Sequence, residues 1–390
     1  LKFTEFMMKE IDPFIVTDTF KPAYFCNRKQ ECNELVDSLI NGKNIAIIAP
    51  RRMGKTALIH HCFDKSEIGQ KYYTFFINIL HTSNLREFTY LLCREVYEKL
   101  AVHNDKTIEQ FAETLKSLLG RLKIEQRTPT PAFCLNIGDI DSPEITLREL
   151  SQYLETADKR CIIAINELQQ VAKYEEKNVK ELFRTHIQQM QKCQFVFAGS
   201  NRPIMAEAFT SPQWSFYKES DILYLEAITS EKYIPFVVAR FKSGKRTISD
   251  ENVEVVYNLF KGHTYYLQRT FNEAFAYTPE GKECTLDTIR AAIARLIAYN
   301  ETYFREILSN TPEKQKELLY AIAKDGYAER VTSAEFIKRH SLTSASSIQS
   351  AANKLLEKEL ISDTDRVFSV TDKLLGMWIN GIYDKNTLLI

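Results

Sequence analysis

Five apolar runs punctuate the first 225 residues, at 45–48, 72–80, 161–165, 195–198 and 222–225. Each reads as a buried core strand. Between them, apolar positions recur every three or four residues. That spacing predicts helices over 31–40, 85–100, 107–122, 146–157 and 177–191, with another from Gly54-Lys55-Thr56 through Ala57, Leu58 and Ile59. Strands separated by helices predict an α/β fold with a five-stranded, doubly wound parallel sheet. The pattern breaks over 123–145, where Pro129, Pro131, Gly138 and Pro143 cluster. This stretch reads as an excursion from the core, either a solvated insertion or a partner-contact loop, with 132–137 as a short strand or hairpin arm. Residues 207–221 read as a loop carrying Trp214, Phe216 and Tyr217.

After the last strand the periodicity is helical throughout. Helices are expected over 230–241, 250–260, from Thr264 to Tyr277 and over 286–308, making a helical lid at 229–310. Thr311-Pro312 marks a boundary. Beyond it come a helix over 314–324, a second begun by Ser333 with Phe336, and a third over 345–358. A hairpin then folds about 363–366. That order is a winged helix-turn-helix, over 311–390. The division is therefore an α/β domain at 1–228, with 1–30 as its irregular N-terminal segment, then the lid and the winged helix.

The chemistry is concentrated at 45–60, IAIIAPRRMGKTALIH. A buried strand, a tight turn and GKT opening a helix form the context of a phosphate-binding loop. Loop N–H groups and the helix N-terminus point at phosphate oxygens. Pro50, Arg51, Arg52, Met53, Gly54, Lys55, Thr56 and Ala57 are the candidate nucleotide-holding residues. Lys55 can reach the terminal phosphates and the Thr56 hydroxyl can ligate Mg2+. Ala49 stands where the motif has its first glycine. The strand 161–165 ends in Asn166-Glu167, where such a site carries its acids. Asn166 can bond a metal-held water but brings no charge, whereas Glu167 can polarise water as a general base. The strand 195–198 ends in Gly199-Ser200-Asn201-Arg202. Ser200 or Asn201 can touch the terminal phosphate or the water there. Arg202 can supply charge or simply sit at the surface. Phe25 to Arg28 can fold back near the base or only cover a core edge. His263, at a helix start, can face the phosphates or cap and pack.

Charge and cysteine content narrow this little. Lys plus Arg equal Asp plus Glu at 51 each, so no global field favours nucleic acid or membrane. The eight cysteines show no zinc spacing and read as buried thiols. No leader or membrane-length apolar span is apparent. A cytoplasmic protein is expected.

These stretches resemble the archaeal-type ATPase family of the AAA+/STAND P-loop proteins. The resemblance rests on YFCNRKQECNELVDSLINGKNIAIIAPRRMGKTALI, IIAINELQQV, FVFAGSN, WSFYKES and GHTYYLQRTFNEAF, covering about 20–308. It implies ATP and ADP as ligands, Mg2+ as cofactor, Phe25 to Arg28 near the base, strand-end acids on metal and water, and lid sensing by Gly262-His263-Thr264. Thr264 replaces the family's proline and Asn166 its aspartate. The first blurs sensing and the second makes binding better supported than turnover. No nuclease-like carboxylate cluster follows, as in the ATPase-plus-winged-helix form. The expected function is an ATP-driven switch with slow hydrolysis, coupled to a DNA- or protein-binding winged helix. A non-hydrolysing scaffold and a plain DNA-binding regulator are the alternatives. A homo-oligomer is left open and no membrane partner is expected.

Overall fold

The first strand, β1 (Asn44–Ile48), lies inside a parallel sheet. The others are β2 (Tyr72–Asn78), β3 (Arg160–Asn166), β4 (Cys193–Gly199) and β5 (Ser220–Tyr224), arranged β2-β3-β4-β1-β5. The computed structural model describes residues 14, 25–101, 105–118, 123–125, 132–176, 178–211, 216, 220–364 and 366–383. The chain forms two compact units. One is Thr19–Ala227, and the other begins at Ile228 and includes Phe14.

The two faces of the sheet explain the apolar runs. Ala46, Ile48, Ile163, Ile165 and Phe197 pack into one core with Leu92, Val96 and Leu150. Ile45, Ile47, Ile162, Ala164, Val196 and Ala198 pack into another with Leu35, Leu58 and Ile59. Central strands are covered on both sides, so neither side of the alternation is polar. Helix α1 (Lys29–Ile40) precedes β1, and α2 (Lys55–Phe63) follows the phosphate-binding loop.

Several expected boundaries shift for local reasons. The helix expected over 107–122 is Asp105–Thr114, followed by a tight turn at Lys116–Leu118. There Glu149 accepts from both the Ser117 N–H and its hydroxyl, satisfying groups at the break. Residues 119–122 lie outside the described part. In the excursion, Lys123–Glu125 pairs antiparallel with Ala132–Cys134. The next helix is Pro143–Thr156, three residues earlier than expected, because proline suits its first turn. A helix at Arg202–Thr210 occupies the start of the expected 207–221 loop. Within that loop Trp214 and Tyr217 lie outside the described residues, and Phe216 is buried.

In the second unit, Ser230–Ser243, Asp250–Phe260, Thr264–Tyr277 and Leu286–Ser309 are helical. Phe14 packs among Phe241, Phe271 and Phe275, so this part of the 1–30 segment sits with the lid helices and not with the sheet. The winged helix comprises Glu313–Asp325, Ala334–Arg339, Ala345–Glu357 and a three-stranded sheet. Ser333 caps its second helix through the Phe336 N–H, as expected. A third wing strand, Ala328–Glu329, and a last helix, Lys373–Tyr383, were not anticipated. Contacts group lid and winged helix in one unit. Among the described residues, no helix is long and apolar enough to cross a membrane.

Candidate functional site

The loop from Ala49 to Gly54 leaves the sheet between two strand tips. The Ala49 N–H bonds the Gly199 carbonyl at 3.4 Å, and the Leu225 N–H bonds that of Ile48 at 3.0 Å. Ala49 is buried and outside the left-handed region, so this position does not require the motif's glycine. Gly54 does require its freedom, with φ of 90° at the N-cap of α2. Arg52 is also left-handed, at φ 67°. Met53 is buried and anchors the loop, while Pro50 and Arg51 are half-buried.

Lys55 opens α2 with only 6% of its surface exposed. Its Nζ donates to the carbonyls of Ala49 at 3.0 Å and Pro50 at 3.1 Å. Burial pushes its pKa down to about 8, with Glu167 opposing and Arg51 adding to the shift. Thr56 is exposed in the first turn of α2, and Ala57 is half-buried. The expected base-side residues brace this loop. The Arg28 guanidinium donates to the Met53 carbonyl at 3.3 Å and to Glu31 at 2.8 Å. The Phe25 ring stacks on His61 of α2, with centroids 4.2 Å apart.

The acidic side lies at the tips of β3 and β4. Asn166 is 5% exposed, and its Oδ1 has no hydrogen-bond partner among the described residues. Glu167 is left-handed at φ 64°. Its Oε2 accepts from the Ser200 hydroxyl at 2.7 Å and the Gln169 amide at 2.5 Å. Gln169 also donates to Ser200 Oγ at 3.1 Å and accepts from the Ser200 N–H at 3.3 Å. Gln169 was missed in the sequence. Its only signal there is an amide two residues beyond Glu167. A Cβ on Gly199 would strike Met205 and come within 2.7 Å of Gln169 Oε1, so glycine makes room for this triangle. The Asn201 side-chain oxygen accepts from the Ile204 N–H at 3.1 Å and caps Arg202–Thr210. Arg202 pairs with Glu226 at 2.8 Å near the surface.

These groups fit a Mg2+–nucleotide better than a bare cation. Among the described residues no three His, Cys, Asp or Glu side chains gather as a metal cluster. Thr56 and the orphaned Asn166 oxygen offer a cation neutral donors only, and phosphates would have to supply the charge.

The sequence matches a family model described as "ATPase domain predominantly from Archaea" over residues 25–270. The chain belongs to this ATPase family. A second model, "Probable winged helix domain", matches residues 302–381. Among solved structures, the Walker-type ATPase PABY2304 of Pyrococcus abyssi is similar at TM-score 0.66 and 14% identity, covering 94% of this chain and 99% of that one. The ORC2 protein of Aeropyrum pernix, in its ADPNP–ADP complexes, is similar at TM-score 0.58 and 13% identity, covering 94% and 97%. At these identities the likeness shows the fold. No curated protein matches the chain.

In this chain, His263 belongs to the second unit. It precedes Thr264–Tyr277, with its ring edge-on to Tyr266 at 6.2 Å. Tyr266 reaches the winged helix: its hydroxyl accepts from the Lys373 N–H at 3.1 Å and donates to the Thr371 carbonyl at 3.5 Å. Lys261, two residues before His263, sets its ammonium 3.3 Å from the centroid of the Tyr327 ring. The helix Ala345–Glu357 exposes Ser346, Gln349, Ser350, Asn353 and Lys354. Two of its nearby cations are ion-paired and a third bonds a neutral amide. Arg339 pairs with Asp325, Lys354 pairs with Glu357, and Lys358 bonds Gln315.

Proposed function

We propose that this chain binds ATP with Mg2+ at the phosphate-binding loop and hydrolyses it slowly, as a switch whose state is relayed to the winged helix. The observation that carries this reading is Lys55, a buried ammonium at a helix N-terminus whose hydrogen bonds go to two loop carbonyls. Such a cation gains most when an anion arrives. In the bound state Lys55 exchanges the Ala49 and Pro50 carbonyls for phosphate oxygens, and Thr56 and Asn166 hold the metal side. Mg2+, when bound, neutralises charge on the phosphates. Glu167, its direction set by the Ser200 and Gln169 donors, orients the attacking water. His263 and Tyr266 start the lid helix that contacts the winged helix, which supports them as the relay. Titration calorimetry tests the binding: Lys55→Ala should weaken Mg2+–ATP affinity at least about tenfold, a loss of roughly 1.4 kcal/mol. Equal affinity in both proteins would overturn it.

The non-hydrolysing scaffold is favoured by one feature, the uncharged Asn166 at the tip of β3, which brings no negative charge to a metal ion. For the winged helix, the neutralised Arg339 and Lys354 favour a protein partner over DNA, since phosphate neutralisation supplies most DNA affinity. Anisotropy with a short duplex should show weak binding that vanishes with salt. Tight, salt-independent binding would reverse that preference. The buried thiols support the expected reducing, cytoplasmic setting.

A further inference from the structure

Cys32 lies in α1 and Cys62 in α2, the helix that opens with Lys55. Both are free thiols, buried at 1% and 0% exposure. The Cys62 thiol donates to Cys32 Sγ across 3.1 Å, and its sulfur lies 3.8 Å from the Cys32 carbonyl oxygen. A disulfide needs about 2.05 Å between sulfurs, so closing the gap takes about 1 Å of movement. The contact ties the 25–32 segment to the helix of the phosphate-binding loop, alongside the Phe25–His61 stack and the Arg28–Met53 hydrogen bond.

We propose that Cys32 and Cys62 form a redox-active dithiol whose oxidation to an intramolecular disulfide fastens α1 to α2. The proposal rests on the two sulfurs and their helices, and stands whichever way nucleotide turnover falls. The oxidant is a hydroperoxide, small enough to enter during local opening. The Cys32 thiolate attacks one peroxide oxygen, the O–O bond breaks, and the leaving hydroxide takes a proton to become water. Cys32 is then a sulfenic acid. The Cys62 thiolate attacks the Cys32 sulfur, the S–S bond forms, the S–O bond breaks, and the hydroxide again leaves as water. Two thiols lose two electrons and two protons, and one hydrogen peroxide becomes two waters. The hydrogen bond from Cys62 holds the Cys32 pKa below the usual thiol value against the opposing effect of burial, which makes Cys32 the attacking sulfur.

The linkage joins residues 30 positions apart, and a closed loop of that size restricts the unfolded chain. It also ties down the helix that carries Lys55 and Thr56. Cys161 and Cys193 face each other in register across β3 and β4 and make the internal comparison.

The test uses the intact folded protein. It is treated with hydrogen peroxide, denatured, alkylated with iodoacetamide and cut with trypsin without reduction. Cys32 falls in the peptide 30–43 and Cys62 in 56–65, while Cys161 and Cys193 fall in two others. Mass spectrometry should find 30–43 linked to 56–65, with the link lost on reduction. The oxidised protein should also melt several degrees higher than the reduced one. Cys62→Ser should leave Cys32 unlinked and remove the gain in melting temperature. Full alkylation of both thiols after peroxide would overturn the proposal, as would oxidation of Cys32 to sulfinic acid without a link, or linkage of either cysteine to a different one.

Discussion

Ser200 donates its hydroxyl to the Glu167 carboxylate across 2.7 Å, joining the tip of β4 to the tip of β3. Gln169 closes the triangle from below, bonding both partners. A carboxylate held by two donors has a fixed direction, and direction is what a residue that orients water needs. Ser200→Ala should therefore lower ATP turnover by about tenfold, or roughly 1.4 kcal/mol of barrier, while Mg2+–ATP affinity changes little. Gln169→Met, which keeps bulk and removes the amide, should do the same. Phosphate release at saturating ATP decides the matter. Equal rates in wild type and both variants would show that the triangle only packs the strand tips.

Lys55 gives the apo protein a distinctive pH dependence. Its pKa falls from 10.5 to about 8 because the ammonium is buried. The folded value lies below the unfolded one, so between about pH 8 and 10.5 the unfolded chain binds more protons and stability rises with pH. Below pH 8 the lysine is charged in both states and its full burial cost, at most about 3 kcal/mol, persists. Thermal melts of wild type and Lys55→Met from pH 7 to 10 should show the wild type gaining on the variant as pH rises. A constant gap would mean that the ammonium is not strained in the fold. Near pH 8.5, ATP binding should draw in protons as phosphates restore the charge, a signal read by calorimetry in buffers of different ionisation enthalpy.

The sheet was legible because its central strands are buried on both faces, leaving unbroken runs such as Ile45 to Ile48 and Cys161 to Ile165. The loop was legible because Gly54 and Lys55 each have one physical reason to be there. What stayed hidden is tertiary. Nothing local in Gln169 says that its amide spans two strand tips. Arg28 reads as lying near the base or over a core edge, and nothing local says that, 5% exposed, it holds the Met53 carbonyl. Asn201 and Arg202 read as strand-tip residues open to more than one role, and an Asn followed closely by Pro is also how a helix begins.

That last ambiguity makes a prediction. Asn201 caps the Ile204 N–H, so Asn201→Ala should cost about 1 kcal/mol of stability and Asn201→Asp almost nothing. ATP turnover per folded molecule should be the same in all three proteins. A large fall in turnover in Asn201→Ala, with the melting temperature held, would return Asn201 to the reacting phosphate.

Asn166 sets the hardest test. Its Oδ1 is buried without a hydrogen-bond partner among the described residues, at the position where this fold can face a metal-held water. Asn166→Asp keeps the shape and adds a charge. Without nucleotide that charge is buried beside Glu167, so the apo variant should melt lower than wild type. With Mg2+ and ATP the carboxylate accepts from metal-bound waters and offsets the cation, so the melting difference should close or reverse. Turnover should rise at least about tenfold, which is roughly 1.4 kcal/mol, because a fixed ion aligns the phosphates for attack. Asn166→Asp combined with Glu167→Gln should remain slow, since the ion would be held while the water is not. The measurements are melting temperature with and without Mg2+–ATP, and phosphate release at saturation, for wild type and the two variants. If turnover is unchanged although ligand rescues the melting temperature, Asn166 holds the ion without limiting the rate. If the ligand gives no rescue, Asn166 does not face the metal and its unpaired oxygen is a feature of the apo core alone. Fast turnover by the wild type would defeat the scaffold reading and show that Thr56, the phosphates and water hold Mg2+ without a carboxylate.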